Sequence, residues 1–137
     1  MDSSFKRSGA SGLSFTTVGF LALFTTGAWQ SAHAQVAADG ERLFRQRCAS
    51  CHSIKTGGRG TGPSLAGVFG REAGSLTGAR YSQAMRAARL IWDEELLDSF
   101  LGDPRRTVPG TTMAVRVTDQ AQRAAIISFL RESSDGK

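Results

Sequence analysis

Cys48-Ala49-Ser50-Cys51-His52 is the stretch on which the reading of this chain turns. Two thiols in Cys-x-x-Cys spacing followed directly by an imidazole suit several chemistries, and the flanking sequence separates them. Upstream, Asp39 is an N-cap candidate, and 40–48 reads as a helix with Leu43, Phe44 and Cys48 near one face. Downstream the composition changes sharply, with eight glycines at 57, 58, 60, 62, 67, 70, 74 and 78, a density that predicts loop. A thioredoxin-like dithiol would follow a strand of a parallel sheet, and no period-2 strand pattern is present. A disulfide between Cys48 and Cys51 would close a very small ring and leave the domain short of a core.

A zinc site is decided by counting ligands, and the count depends on the N-terminus. Lys6 and Arg7 form a basic start, 13–24 is predominantly apolar, and Ala32-His33-Ala34 has small residues where a signal peptidase needs them. Basic, apolar, small-x-small is the secretory pattern. Residues 1–34 are therefore expected to be a cleaved signal peptide, and 35–137 the folded domain, with a retained membrane anchor as the other reading. His33 leaves with the leader, so the mature chain keeps His52 alone beside two cysteines. That is too few ligands for zinc.

The wider composition agrees. At 137 residues the chain holds one domain. Its net charge of +5 is too small for a nucleic-acid-binding tail. Without its leader it carries fifteen basic and eleven acidic groups, and thirteen of the fifteen are arginine. A short helix is expected at 81–89. Another begins at Asp93, with Leu96, Leu97, Phe100 and Leu101 as its apolar stripe, and ends at Asp103-Pro104. A second loop covers 105–117, and a last helix begins near Thr118, turning Ile126, Ile127, Phe129 and Leu130 inward. The fold class is all-α with long loops. Loops of that length in a small domain imply that something other than polypeptide organises the interior.

What remains for the pentapeptide is the attachment pattern of c-type haem. The two thiols add across the two haem vinyl groups, and the next residue places an imidazole beneath the iron. With one mature histidine, the sixth position falls to Met85, Met113, Lys55 or Lys137. Met113 follows Pro109-Gly110-Thr111-Thr112, a turn able to carry a thioether inward. Met85, among Gln83, Arg86 and Arg89, reads as filler in an exposed or half-buried helix. His52 and Met113 together raise the reduction potential and leave no position for a substrate, which is the logic of an electron carrier.

These residues, in this order, make 35–137 similar to the class I cytochromes c, in the branch of mitochondrial cytochrome c and bacterial cytochrome c2. The resemblance implies a small single domain of three to five helices and long loops wrapped around one haem c, attached through Cys48 and Cys51. Gly40-Glu41-Arg42-Leu43-Phe44 resembles the family's N-terminal helix, where glycine admits the C-terminal helix. Residues 62–71 resemble the loop under the haem, in which the Pro63 carbonyl would orient His52. Tyr81 and Trp92 stand where the family directs donors at a haem propionate, with Arg71 adding positive charge. Residues 108–113 resemble the methionine loop, placing Thr111 against the cofactor and Met113 on the iron. One departure is Phe100, at a position where many relatives carry a tyrosine whose hydroxyl meets the methionine sulfur.

The function expected on this basis is a periplasmic single-electron shuttle, not an enzyme. Its partners would be redox proteins, with acidic docking faces set against a basic rim of Arg45, Arg47, Arg105 and Arg106. It would be a monomer without nucleic-acid partners, meeting a membrane only through partner complexes or an uncleaved leader. The alternatives are a gas-binding or peroxidase-like haem protein with a labile methionine, and a subunit dedicated to one dehydrogenase complex.

Overall fold

The computed structural model describes residues 27–58 and 60–135. The expected leader lies mainly outside them. Five helices follow in chain order: α1 Gly27–Arg47, α2 Gln83–Ala87, α3 Glu94–Gly102, α4 Pro104–Thr107 and α5 Gln120–Asp135. Among the described residues the extended structure amounts to one isolated antiparallel bridge, Glu72 to Ile91. The all-α reading with long loops holds. No described helix is long and apolar enough to cross a membrane.

The boundaries follow local chemistry, and in places differ from the sequence reading. Asp93 is the cap of α3 rather than its first residue, its carboxylate accepting from the Leu96 N–H at 2.8 Å. Asp119 does the same for α5, accepting from the Gln122 N–H at 2.8 Å. Ser82 caps α2, which is shorter than expected and is followed by Arg89 at φ +52°. The region after Asp103 was expected to be loop, yet it opens with α4. Pro104 supplies a preset φ at the first helical position, and Asp103 accepts from the Arg106 N–H at 3.3 Å. The same Asp-Pro pair thus stops α3 and starts α4. Helix α1 begins well before Gly40 and continues through the Ala34–Gln35 junction.

The core sits where α1 crosses α5 and α3 closes on α5. Gly40 makes the crossing possible: a Cβ there would run into the Ala125 carbonyl and lie 2.8 Å from the Phe129 Cβ. Below it, the rings of Phe44 and Phe129 meet at 5.5 Å and 48°. Leu43, Phe44, Ile126 and Leu130 are buried along the seam, so their hydrophobic contribution is near its maximum. Arg123 ties α5 to α3, its guanidinium donating to Asp98 at 2.7 Å and to the carbonyls of Val117 and Thr118.

The long glycine-rich loop is ordered by hydrogen bonds back to the Cys-x-x-Cys-His segment. The Gly62 N–H donates to the Cys51 carbonyl at 2.9 Å and the Leu65 N–H to the Ser53 carbonyl at 2.7 Å. The Ser64 hydroxyl donates to the Lys55 carbonyl at 2.9 Å. A loop that would otherwise cost much conformational entropy is thereby pinned around one end of α1. Gly40→Ala is expected to lower the stability of the haem-loaded protein by about 1–3 kcal/mol through overpacking of the crossing. A denaturant titration followed by circular dichroism checks it; an unchanged midpoint would show that the helices separate at little cost.

Candidate haem site

Helix α1 delivers Cys48 into the interior and ends there. The Cys48 and Ala49 N–H groups both donate to the Phe44 carbonyl, and the His52 N–H donates to the Cys48 carbonyl at 2.9 Å. This turn leaves Cys48 buried and Cys51 exposed, with His52 between them in depth. The thiols are not bonded to each other. Burial pushes the Cys48 thiol up to about 11, opposed by Arg47 and reinforced by Cys51. Cys51 moves the other way, below the usual thiol range, through hydrogen bonds with the Thr61 and Ser50 hydroxyls. Among the described residues no three His, Cys, Asp or Glu side chains gather as for a metal ion.

The His52 ring is held by the glycine-rich loop. Its Nδ1 lies 2.8 Å from the Pro63 carbonyl oxygen, which has no proton to give, so the ring donates and Nε2 is left for a metal. Gly62 stacks on the same ring, where a Cβ would stand 2.5 Å from Cε1 and 2.8 Å from Nδ1. The loop therefore clamps the imidazole on one face and orients it from the Nδ1 side.

His52 opens onto a cleft with about 830 Å³ of unfilled space, counting its open mouth. Val68, Leu97, Phe100, Leu101, Ile126 and Leu130 make most of it apolar. Met113 lines it from the loop after α4, and the Thr111 hydroxyl accepts from the Met113 N–H at 3.3 Å. Tyr81 and Trp92 line it as well, the indole packing on Phe100 at 5.0 Å between centroids. Arg71 reaches the cleft half-buried, donating to the carbonyls of Ala66 and Ser64 at 2.9 Å each. Desolvation by burial lowers its pKa, with Tyr81 as a smaller opposing influence. None of the ion pairs among the described residues gives Arg71 a carboxylate partner. A half-buried cation without an anion suits a ligand that brings its own carboxylates.

Of the nine residues singled out from the sequence, eight therefore line one cleft, and Cys51 is exposed outside its lining. Met85, read as core filler, is indeed in the buried core, and it also lines the cleft, although helix α2 around it is largely exposed. Tyr81, Ala84, Met85 and Ala88 recur at helical spacing, and that stripe was the available signal. The walls from Val68 and Leu97 were also missed as site residues, because an apolar wall and an ordinary core side chain look alike in sequence.

The cleft brings together the Cys48 thiol, an oriented imidazole, a guanidinium without a carboxylate partner and apolar walls, which fits an apolar group carrying a carboxylate. Comparison with known proteins gives the same answer. Residues 37–134 match the family described as Cytochrome c. Cytochrome c of Euglena viridis is 39% identical over 97 residues, spanning 70% of this chain and 95% of the relative. Cytochrome c2 iso-2 of Magnetospirillum fulvum is 42% identical over 85 residues, spanning 61% and 88%. Cytochrome c of Nigella damascena is 35% identical over 108 residues, spanning 77% and 97%. The chain belongs to the cytochrome c family. It is a haem-based electron carrier rather than an enzyme, with haem c joined to Cys48 and Cys51, and it works with redox protein partners.

Filling the cleft is also a stability matter. The enclosed part of the cleft is about 110 Å³, and at about 24 cal/mol per Å³ of residual cavity leaving it unfilled would cost about 3 kcal/mol, a large share of the stability of a small domain. The Cys48→Ala/Cys51→Ala chain, purified free of haem, is expected to lose most of its helical circular dichroism in native buffer. Retention of the wild-type helical signal would mean that the polypeptide core suffices alone.

Proposed function

We propose that this cytochrome carries single electrons through a haem held by His52 and Met113, and that it does so in the periplasm. The observation behind the ligand pair is that both side chains line one apolar cleft, with His52 already oriented by Pro63. When bound, the haem iron supplies the one-electron couple. The chain's own residues set the conditions. The Pro63 carbonyl raises the basicity of the imidazole and fixes its rotation. Met113 would be the second residue to hold the iron, and a ligand kept in both oxidation states would keep rearrangement between them small. The apolar walls exclude water and disfavour the extra charge of the ferric state, which favours reduction. Arg71, with Tyr81 and Trp92, directs positive charge and donors at the propionates, and Thr111 steadies the loop that carries Met113.

The electron port would be the exposed edge at Cys51. Arg47 lies beside it in the last turn of α1, and Arg105 and Arg106 lie on α4, which leads into the Met113 loop; all three are exposed and in no described ion pair. Arg45 is instead paired with Glu41 within α1 and contributes less. Arg47, Arg105 and Arg106 thus form a basic rim that would speed encounter with an acidic redox partner and lose that advantage as salt rises. The protein acts as a monomer on this reading. The leader pattern at 1–34 supports export, with cleavage after Ala34; a retained leader would make the shuttle a tethered one.

Met113→Ala tests the ligand pair. The ferric protein is expected to show a sulfur-to-iron charge-transfer band that disappears in the variant, and the reduced variant to bind carbon monoxide where wild type does not. A wild type without the band that binds carbon monoxide readily would replace the carrier reading with gas binding or peroxide chemistry. The exported protein is expected to have the intact mass of residues 35–137 plus one haem, read by mass spectrometry; a mass including residues 1–34 would show that the leader stays.

A further inference from the structure

Met85 lines the same cleft as the proposed ligand pair, and no role described above uses it. It is the buried residue of α2, 7% exposed, while its neighbour Arg86 faces solvent. Two close approaches seat this helix. A Cβ on Gly74 would lie 2.7 Å from the Met85 carbonyl oxygen, and a Cβ on Gly110 would lie 3.0 Å from the Ala84 Cβ. Gly110 belongs to the turn that leads into Met113, so α2 backs directly onto the loop that delivers the thioether. From α3 comes Phe100, 6% exposed and packed on Trp92. Phe100 has no hydroxyl to offer, and Thr111 directs its oxygen at the Met113 N–H. Among the described residues no hydrogen bond reaches the Met113 sulfur.

We propose that Met85 is a positioning residue for the sixth ligand: with Phe100 it fills the space behind Met113 and keeps it dry. This rests on the reading of Met113 as ligand. Packing and exclusion of water then do what a hydroxyl donor to the sulfur would otherwise do. For Met113 to leave the iron, water or another ligand must enter the cleft. Apolar walls leave that intruder without hydrogen bonds, which makes the open state rare. An unbranched thioether suits the task because it follows an irregular gap and presents no strong donor or acceptor. An exogenous ligand binds only the open fraction, so its apparent affinity reports how often Met113 is off.

The experiment is an imidazole titration of the haem-loaded ferric protein, following loss of the sulfur-to-iron band, in wild type, Met85→Leu and Met85→Gln. Glutamine has nearly the shape of methionine and adds an amide that can hold water. Met85→Gln is expected to bind imidazole about tenfold more tightly, the worth of roughly one hydrogen bond offered to the open state, and Met85→Leu to stay close to wild type. The same affinity in all three, with the band present in wild type, overturns the role of Met85 and leaves Met113 ligation standing. Absence of the band in wild type overturns Met113 ligation itself, and the role of Met85 with it. If the glutamine variant does not fold, Met85→Ala opens the same space without a new polar group. It is expected to shift in the same direction, and an unshifted alanine variant overturns the proposal.

Discussion

Everything in this fold depends on one constraint: the interior is too large for its own side chains, and the haem carried by Cys48 and Cys51 completes it. Helix α1 packs on α5 through Gly40 and the Phe44–Phe129 pair, and α3 closes on α5. Those contacts make three sides of a cleft rather than a closed core. The remaining sides are loops, which on their own lose more conformational entropy than their contacts return. The covalent attachment places the cofactor at the end of α1, where the apolar walls and both loops converge on it. A small domain with few helices can in this way reach the stability of a larger one.

The polar contacts of the cleft serve orientation. Pro63 holds one nitrogen of His52, Gly62 leaves room for the ring, and Arg71 is anchored by the Ala66 and Ser64 carbonyls with its charge unmatched. Each arrangement anticipates a group that the polypeptide does not contain. Around Met113 the cleft is lined by apolar Met85 and Phe100, and the Thr111 hydroxyl restrains only the backbone. On the reading proposed above, oriented donors and acceptors would hold His52 and dry packing would hold Met113.

The surface divides along similar lines. Acidic residues concentrate on α3 and its cap, at Asp93, Glu94, Glu95 and Asp98. Two arginines answer them in ion pairs within the fold, Arg123 to Asp98 and Arg131 to Glu94. Arg131 also lies over the Phe69 ring at 5.1 Å. Arg105 and Arg106 on α4 and Arg47 at the end of α1, like Arg80, Arg86 and Arg89, are exposed and in none of the ion pairs among the described residues, and such charges alter encounter rate more than affinity.

Much of this was legible in the sequence because it depends on covalent spacing and local chemistry. Cys48, Cys51 and His52 are fixed relative to one another by chain length, so the haem motif needs no tertiary context. The all-α class follows from apolar periodicity, and the apolar stripe of α3 at Leu96, Leu97, Phe100 and Leu101 from the same spacing. What the sequence could not decide concerns groups far apart in the chain. Helix α4 was missed because Pro104 ends one helix and begins the next, and only the backbone direction after Asp103 chooses. Met85 reads as core filler and is buried, but nothing in its own short helix tells that it lines the cleft. Its burial is set by Gly74 and Gly110, which bring separate segments onto α2. Local spacing and propensity are written residue by residue, whereas the close approach of distant segments depends on how all the elements pack at once, and that the folded chain alone decides.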